Sequence, residues 1–105
     1  MSKLDAKIIA TARAYIDKIR QNNIEVDSAY IFGSFARGNT HAGSDLDIAI
    51  VSPQFGINSI DERLTLMHLD LDPLSIIEPH PFSPADLEEK YNFLAQEAKQ
   101  GIRIV

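Results

Sequence analysis

The stretch DLDIAIV, residues 45–51, constrains the fold of this chain most strongly. Its apolar and β-branched residues predict a buried strand, because such side chains favour a pleated, packed surface. The strand nevertheless begins with Asp45 and Asp47, which point the same way and lie about 6–7 Å apart. Two carboxylates so placed repel each other unless something positive lies between them. The pattern indicates either a solvated strand face or a site for a divalent metal ion.

Helical periodicity predicts three helices around this strand. The apolar stripe of the first runs from Leu4 to Ile19, and the helix ends near residues 21–23. The second follows a suitable cap at Asn58, and the third begins at Ser83-Pro84. The stripes of the second and third helices are Ile60, Leu64, Met67 and Leu71, and Leu87, Tyr91, Leu94 and Ala98.

Strands are predicted between these helices and after the last of them. They are VDSAYIFG (residues 26–33), DLDIAIV, LSIIEPHPF (74–82) and a short last strand in IRIV (102–105). Pro79 and Pro81 have no N–H to donate to a ladder, so the third strand is expected at an edge. The order αβ-loop-βαβα, with a final β, predicts an α/β (α+β) fold with a small mixed sheet and helices on one face.

Composition excludes several functions. The length of 105 residues argues for a single domain, 1–105. The formal net charge of −5 disfavours binding to long nucleic acids, because such binding needs a basic face. There is no cysteine, so disulfides and thiolate metal sites are excluded. No apolar run approaches the ~20 residues that span a bilayer, so a cytoplasmic protein without membrane contact is expected.

A third acid strengthens the metal interpretation. Glu78 lies in an apolar and proline-rich strand, where a charge costs stability unless it is exposed or paired. If the second and third strands are neighbours, Glu78 joins Asp45 and Asp47, and three carboxylates suffice for two metal ions about 3.5–4 Å apart. The alternative is an exposed position on the edge strand. His80 shares the face of Glu78 and either contacts substrate or is incidental.

The loop GSFARGNT, residues 33–40, suits a polyphosphate. Gly33 lets the backbone approach a ligand, and Ser34 offers a hydroxyl and an N–H. If SFAR forms one helical turn, its N–H groups point at an anion, and Arg37 can pair with phosphate oxygens. The alternative is a tight turn with a surface arginine. A P-loop is disfavoured because Asn39 stands where that motif needs lysine.

Together these residues resemble the nucleotidyltransferase domain of the DNA polymerase β superfamily. That family has a G-S motif after the first strand, an acid-x-acid pair at the start of the next, and a third acid on a later strand. The chain carries the specific string G-S-x-A-R-G-x(5)-S-D-x-D from Gly33 to Asp47, and then Glu78. Its size and element order are similar to those of the minimal nucleotidyltransferases over nearly the whole chain.

The resemblance implies a role for each motif residue. Gly33 and Ser34 would hold the β- and γ-phosphates of ATP, with Arg37 and Ser44 in the same nucleotide-binding loop. Asp45 and Asp47 would bind both Mg²⁺ ions. Glu78 would complete the site and help to activate the acceptor hydroxyl. Many active members have Asp at this third position, and Glu is longer by one methylene.

The resemblance also implies a partner. Minimal nucleotidyltransferases are often encoded beside a HEPN-domain protein, and some are antitoxins that transfer AMP from ATP onto that toxin. The chain is therefore expected to be a protein adenylyltransferase that acts on a HEPN toxin. One alternative is a weak or inactive antitoxin that neutralises its partner by contact. Another is transfer to a small molecule of aminoglycoside type, for which the chain has little length left to hold the acceptor. A small domain with an open active face also invites oligomerisation.

Overall fold

The computed structural model describes residues 5–70 and 72–105. The elements follow the predicted order, and the mixed α+β class is confirmed. They are α1 (Ala6–Gln21), β1 (Ser28–Phe32), α2 (Ser34–Arg37), β2 (Leu46–Val51), α3 (Ser59–His68), β3 (Ile77–Phe82), α4 (Pro84–Leu87), α5 (Phe93–Lys99) and β4 (Ile102–Arg103). Leu4 and Leu71, which the periodicity assigns to helices, lie outside the described residues.

The four strands form one mixed sheet in the order β3-β2-β1-β4. β1 is antiparallel to both β2 and β4, whereas β2 and β3 are parallel and are joined through α3. The expected edge position of β3 and the short last strand are both confirmed. The register pairs Asp47 with Phe32 of β1 on one side and with Glu78 of β3 on the other.

Helices cover both faces of the sheet, whereas the sequence predicted helices on one face. Leu46, Ile48 and Ile50 of β2 pack in a cluster with α1, and Ala49 and Val51 pack in a second cluster with α4 and α5. Successive residues of a strand point to opposite faces. Because β2 is apolar on both faces beyond Asp47, each face has to be shielded from water, and the short C-terminal helices shield the second.

α1 follows its predicted pattern. The Asp5 side chain caps the start of the helix by accepting a hydrogen bond from the Lys7 N–H at 2.8 Å, and the helix ends at Gln21. The buried positions recur at helical spacing, as expected for one apolar stripe on a sheet. They are Ala12, Tyr15, Ile16 and Ile19.

The apolar stripe predicted for α3 is largely exposed. Ile60, Leu64 and Met67 are 72%, 45% and 47% exposed, and the buried residue of the helix is Leu66. Asn58 does cap this helix, since its side chain accepts a hydrogen bond from Asp61 N–H at 3.1 Å. The periodicity therefore identified the helix correctly and its buried side incorrectly.

The single helix predicted after Ser83 is two short helices. Ser83 and Asp86 form a reciprocal capping box at the start of α4, as the Ser-Pro-x-Asp pattern indicates. The chain then leaves the helix, and Asn92 caps α5 by accepting a hydrogen bond from Ala95 N–H at 3.0 Å. Tyr91, predicted on the apolar stripe, lies in this break and is 75% exposed. No helix among residues 5–70 and 72–105 is long and apolar enough to cross a membrane.

Candidate active site

The parallel pairing of β2 and β3 brings the acids of the two strands together. Asp47 and Glu78 are direct partners in the register, and His80 lies two residues further along β3 on the same face. Ligand atoms of these three residues all lie within 4.8 Å of one another. The sequence predicts that Glu78 joins both Asp45 and Asp47, and the strand register places it beside Asp47.

His80 is held tightly within this cluster. Its Nε2 lies 2.9 Å from Oδ1 of Asp47 and 4.0 Å from Oε1 of Glu78. The residue is only 8% exposed, and its ring packs against Phe32 with 5.1 Å between the ring centroids. The imidazole therefore forms a wall of the site and is in direct contact with one of its carboxylates.

Arg63 of α3 is the cationic neighbour of Glu78. Its Nη2 donates a hydrogen bond to Oε1 of Glu78 at 2.8 Å. Its Nε is buried and has no hydrogen-bond partner among the described residues. Among the described residues, Arg63 is hydrogen-bonded to Glu78 and His80 to Asp47, and this arrangement offsets part of the repulsion between the two carboxylates.

Gly33 lies directly beneath the carboxylate of Asp47. Its φ of 74° is in the region that favours glycine, and a Cβ at this position would overlap Oδ2 of Asp47. The next four residues form α2, the helical turn predicted for SFAR, and Gly38 ends it in the left-handed conformation. Ser34 is half-buried at the first position of this turn. Glycine is therefore required at 33 for both backbone conformation and space.

The other predicted site residues lie outside this cluster. Arg37 forms an ion pair with Glu97 of α5, with 2.7 Å between Nη1 and Oε1. The Oγ of Ser44 accepts a hydrogen bond from the His41 N–H at 2.8 Å and closes a turn of the loop. Asp45 is exposed just before β2 and does not belong to the group of Asp47, Glu78 and His80.

Two residues of the site did not emerge from the sequence as members. Arg63 was not singled out, and His80 was left open between a substrate contact and an incidental histidine. For His80 a signal existed, since it shares a strand face with Glu78. For Arg63 the only signal was that a half-buried Glu needs a partner, and the sequence does not say which cation supplies it.

A groove of about 440 Å³ opens beside the cluster. Arg63 and His80 line it at the end next to the carboxylates, and Ile60 of α3 and Leu94 of α5 line its sides. The groove therefore connects the carboxylate cluster with the exposed apolar residues of α3 and α5.

Comparison with known proteins agrees with this geometry. Residues 15–105 match the family described as polymerase beta, nucleotidyltransferase. The fold is similar to the crystal structure of a candidate nucleotidyltransferase from Sulfolobus solfataricus, with a TM-score of 0.60 and 20% sequence identity. The likeness covers 75% of this chain and 69% of that one. No curated protein sequence matches the chain.

The family match includes every motif that the resemblance rested on. Gly33-Ser34, the Asp45-x-Asp47 pair and Glu78 all lie within residues 15–105. Those residues occupy the loop and the two parallel strands at which the carboxylates meet. The chain therefore belongs to the polymerase β nucleotidyltransferase family.

Proposed function

We propose that this protein is a Mg²⁺-dependent nucleotidyltransferase that transfers AMP from ATP to a hydroxyl group of a partner protein. The partner is proposed to be a HEPN-domain toxin, so that the protein acts as an antitoxin. The observation that carries the proposal is the pairing of Asp47 and Glu78 on adjacent parallel strands, directly above Gly33. Family membership supports the reaction class.

The donor set fits divalent cations. Asp47 and Glu78 contribute carboxylate oxygens from neighbouring strands, and Asp45 adds an exposed carboxylate at the start of β2. Mg²⁺ takes ligands of this kind together with phosphate oxygens and water. Asp45, Asp47 and Glu78 would therefore hold two Mg²⁺ ions, which when bound neutralise charge on the triphosphate and on the pyrophosphate leaving group.

The loop residues are proposed to orient the triphosphate. Gly33 has no side chain between the loop backbone and the Asp47 carboxylate, and Ser34 offers its hydroxyl at the first position of α2. Arg37 would exchange its exposed partner Glu97 for a phosphate oxygen, because an ion pair in this setting is weak. Ser44 would contribute through the loop turn that it closes before Asp45.

The proposed reaction is an in-line displacement. The acceptor oxygen forms a bond to the α-phosphorus, the bond from that phosphorus to the bridging oxygen breaks, and pyrophosphate leaves with the electron pair. The carboxylate of Glu78, oriented by Arg63, is proposed to receive the hydroxyl proton. Most of the rate enhancement would come from positioning and from charge neutralisation.

The surface around the groove supports a protein acceptor. Ile60, Leu64 and Met67 form an exposed apolar stripe along α3, and Ile57, which lies just before the helix, is 93% exposed. Phe93 and Leu94 add apolar surface on the α5 side of the groove. Clustered apolar exposure is typical of protein interfaces, whereas small polar acceptors are held by polar side chains. The net charge of −5 is compatible with a basic partner.

A contact antitoxin is the second candidate function. The observation that favours it is that Asp47 and Glu78 already have close partners in His80 and Arg63. In such a protein the apolar stripe would carry the function and the carboxylates would be dispensable. Neutralisation of the partner would then survive loss of every acid in the site.

Label transfer distinguishes the two. The protein is incubated with α-³²P-ATP and Mg²⁺ in host lysate, beside Asp47→Asn and the matched surface variant Asp17→Asn on exposed α1 surface. We expect a labelled protein band with wild type and Asp17→Asn and none with Asp47→Asn. Transfer at the wild-type rate by Asp47→Asn would refute the proposal. A tight complex with the partner that survives Asp45→Asn and Asp47→Asn, without any labelling, would support the contact antitoxin.

A further inference from the structure

The imidazole of His80 points its Nε2 at both carboxylates of the site. We propose that His80 is a third protein ligand of the cation, beside Asp47 and Glu78, and that it makes the site prefer Mn²⁺ to Mg²⁺. The inference rests on the proposed function in one respect, namely that the site holds a divalent cation. It adds a nitrogen ligand to the carboxylates proposed above and concerns the relative affinities of the site for Mn²⁺ and Mg²⁺, so it leaves the proposed role of Asp45 and the Mg²⁺-dependent reaction unchanged.

The spacing of the three donors suits a single ion. Two ligands at right angles around an ion, with bonds of about 2.1 Å, lie roughly 3 Å apart. His80 Nε2 and Asp47 Oδ1 are 2.9 Å apart, so this pair already has the separation of adjacent ligands. Glu78 Oε1 lies 4.0 Å from the same nitrogen, a distance that a side-chain adjustment of about 1 Å closes. Glu78 has two carboxylate oxygens, so it can keep Arg63 and bind an ion at once.

The position of His80 is fixed before it binds anything. Pro79 and Pro81 flank it, and each proline ring restricts the backbone φ of its own residue. The Phe32 ring packs against the imidazole, and the parallel register holds His80 opposite Ala49. A ligand that is held in place loses little conformational freedom on binding. His80 is therefore better prepared for coordination than a mobile surface histidine such as His68, which is exposed.

The chemistry of the donors then selects the metal. Mg²⁺ takes oxygen ligands almost entirely, whereas first-row transition ions also bind imidazole nitrogen. Two carboxylates and one imidazole form a mixed set. Carboxylates suit Mn²⁺ as they suit Mg²⁺, but Mn²⁺ belongs to the first-row series that also binds sites with nitrogen ligands, although it is the weakest binder of that series. Replacing the imidazole with an oxygen donor should remove the preference for Mn²⁺ and leave Mg²⁺ binding.

A purely positioning role for His80 is the competing interpretation. In that case Nε2 would donate a hydrogen bond to Asp47 and orient it, as second-layer groups do at many metal sites. The nitrogen would then stay out of the coordination sphere. The two roles are separable because a directly bound nitrogen has a much stronger hyperfine coupling to the electrons of Mn²⁺ than a nitrogen outside the coordination sphere.

The test uses the purified full chain with Mn²⁺ alone, without nucleotide. Mn²⁺ affinity is measured by electron paramagnetic resonance, and Mg²⁺ affinity by competition. Spin-echo modulation then reports any bound ¹⁴N. The variants are His80→Gln, which offers an amide oxygen in place of the imidazole, and His68→Gln as a matched control. His80→Asn serves as a second variant, and circular dichroism verifies that each one is folded.

We expect wild type and His68→Gln to show nitrogen modulation and to bind Mn²⁺ more tightly than Mg²⁺. We expect His80→Gln to lose the modulation and most of this preference. Absence of nitrogen modulation in Mn²⁺-loaded wild type, an unchanged preference in His80→Gln, or no Mn²⁺ binding would each overturn the inference. Because no ATP is present, failure of label transfer leaves this result standing, and a nitrogen-free Mn²⁺ site leaves the proposed transfer reaction standing.

Discussion

Arg63 on α3 donates a hydrogen bond from Nη2 to Oε1 of Glu78 across 2.8 Å. The third acid of the motif therefore has a cationic neighbour supplied by the chain itself. The Arg63 side chain is 43% exposed and the Glu78 side chain is 34% exposed. A pair in that setting contributes only about 0.5 kcal/mol to the free energy of unfolding. Its larger effect is on the charge that the site presents to a cation.

Replacing Arg63 with Met should raise the affinity of the site for divalent cations. The positive charge next to Glu78 is removed, so we expect the Kd for Mn²⁺ to fall about threefold to tenfold. The free energy of unfolding should change by less than about 1 kcal/mol. Metal titration by calorimetry measures the first effect and urea unfolding the second.

The matched control is Lys99→Met, which removes a similar exposed ion pair with Glu88 far from the carboxylate cluster. It should leave the affinity for Mn²⁺ unchanged. Weaker Mn²⁺ binding by Arg63→Met would mean that Arg63 supports Glu78 as a ligand more than it competes with the cation.

Replacing Gly33 with Ala should damage both stability and activity. The backbone at φ 74° and ψ −150° lies in a region essentially restricted to glycine, so a Cβ costs about 1–3 kcal/mol, and the added methyl group would also overlap Asp47 Oδ2. Gly43→Ala is a matched control, because Gly43 has φ 89° but open space around its missing Cβ. We expect Gly43→Ala to show only the backbone cost in urea unfolding and to keep label transfer. Equal effects of the two substitutions would show that the contact with Asp47 is unimportant.

Replacing Tyr15 with Phe should loosen the packing of α1 against α3. The Tyr15 hydroxyl donates a buried hydrogen bond to the Leu66 carbonyl oxygen at 2.5 Å, and without it that oxygen keeps only the longer hydrogen bond from the Leu69 N–H at 3.3 Å. We expect a loss of about 1–2 kcal/mol in the free energy of unfolding, measured with urea at pH 8. Tyr91→Phe, at an exposed position, should change it by less than about 0.5 kcal/mol.

The same variant should alter the dependence of stability on pH. Burial, and next the negative charge of Asp70, raise the pKa of Tyr15 above its usual value of 10.0. The unfolded chain therefore loses this proton first, and the contribution of Tyr15 to stability is complete below pH 10 and declines above it. The stability difference between wild type and Tyr15→Phe should be constant below pH 10, the ordinary tyrosine pKa, and should narrow as the pH rises above it. A stability difference between the two proteins that stayed constant above pH 10 would contradict the raised pKa of Tyr15.

Charge on the α3 stripe should block transfer to a protein acceptor. Ile57→Glu together with Ile60→Glu places two carboxylates on an apolar surface that is 93% and 72% exposed at these positions. We expect protein labelling to fall at least about tenfold, because central apolar contacts dominate interface energies. Urea unfolding should change little, since neither residue is buried. Leu74→Glu, also highly exposed, is the control, and equal loss of labelling there would argue against a specific surface.

The sequence predicted those parts of the site that depend on local pattern. Alternation placed Asp47 on one strand face, and the neighbouring parallel strands brought Glu78 beside it. The helical turn of SFAR and the cap at Asn58 also follow from short-range chemistry. The remaining contacts depend on how elements pack. Arg63 reaches Glu78 only because α3 lies against β3, and no local signal encodes that rotation.

The errors in the predicted helices also arise because the sequence pattern does not encode how the elements pack. Ile60, Leu64 and Met67 recur as a buried stripe would, yet they remain exposed because Leu66 is the residue that faces the core. Periodicity indicates that one side of a helix is apolar, and it does not distinguish a side that packs in the core from a side that lies on the protein surface. Tyr91 was predicted on one continuous helix, although it lies in the break between α4 and α5. The Asn92 cap that starts α5 is a weaker sequence signal than four apolar residues at helical spacing.

The two prolines of β3 also determine how the sheet can meet other chains. Leu46 and Ser52 donate backbone hydrogen bonds to the carbonyls of Ile76 and Phe82, so the even-numbered residues of this segment face β2. Pro79 and Pro81 then face outward without an N–H, and the N–H of Ile77 is already donated to Ser75 Oγ. Within residues 77–81 the outer edge therefore has no backbone donor to offer an incoming strand. This disfavours edge-to-edge aggregation at the β3 edge of the sheet, which carries Glu78. Addition of a further strand would have to occur at the opposite edge, beside β4.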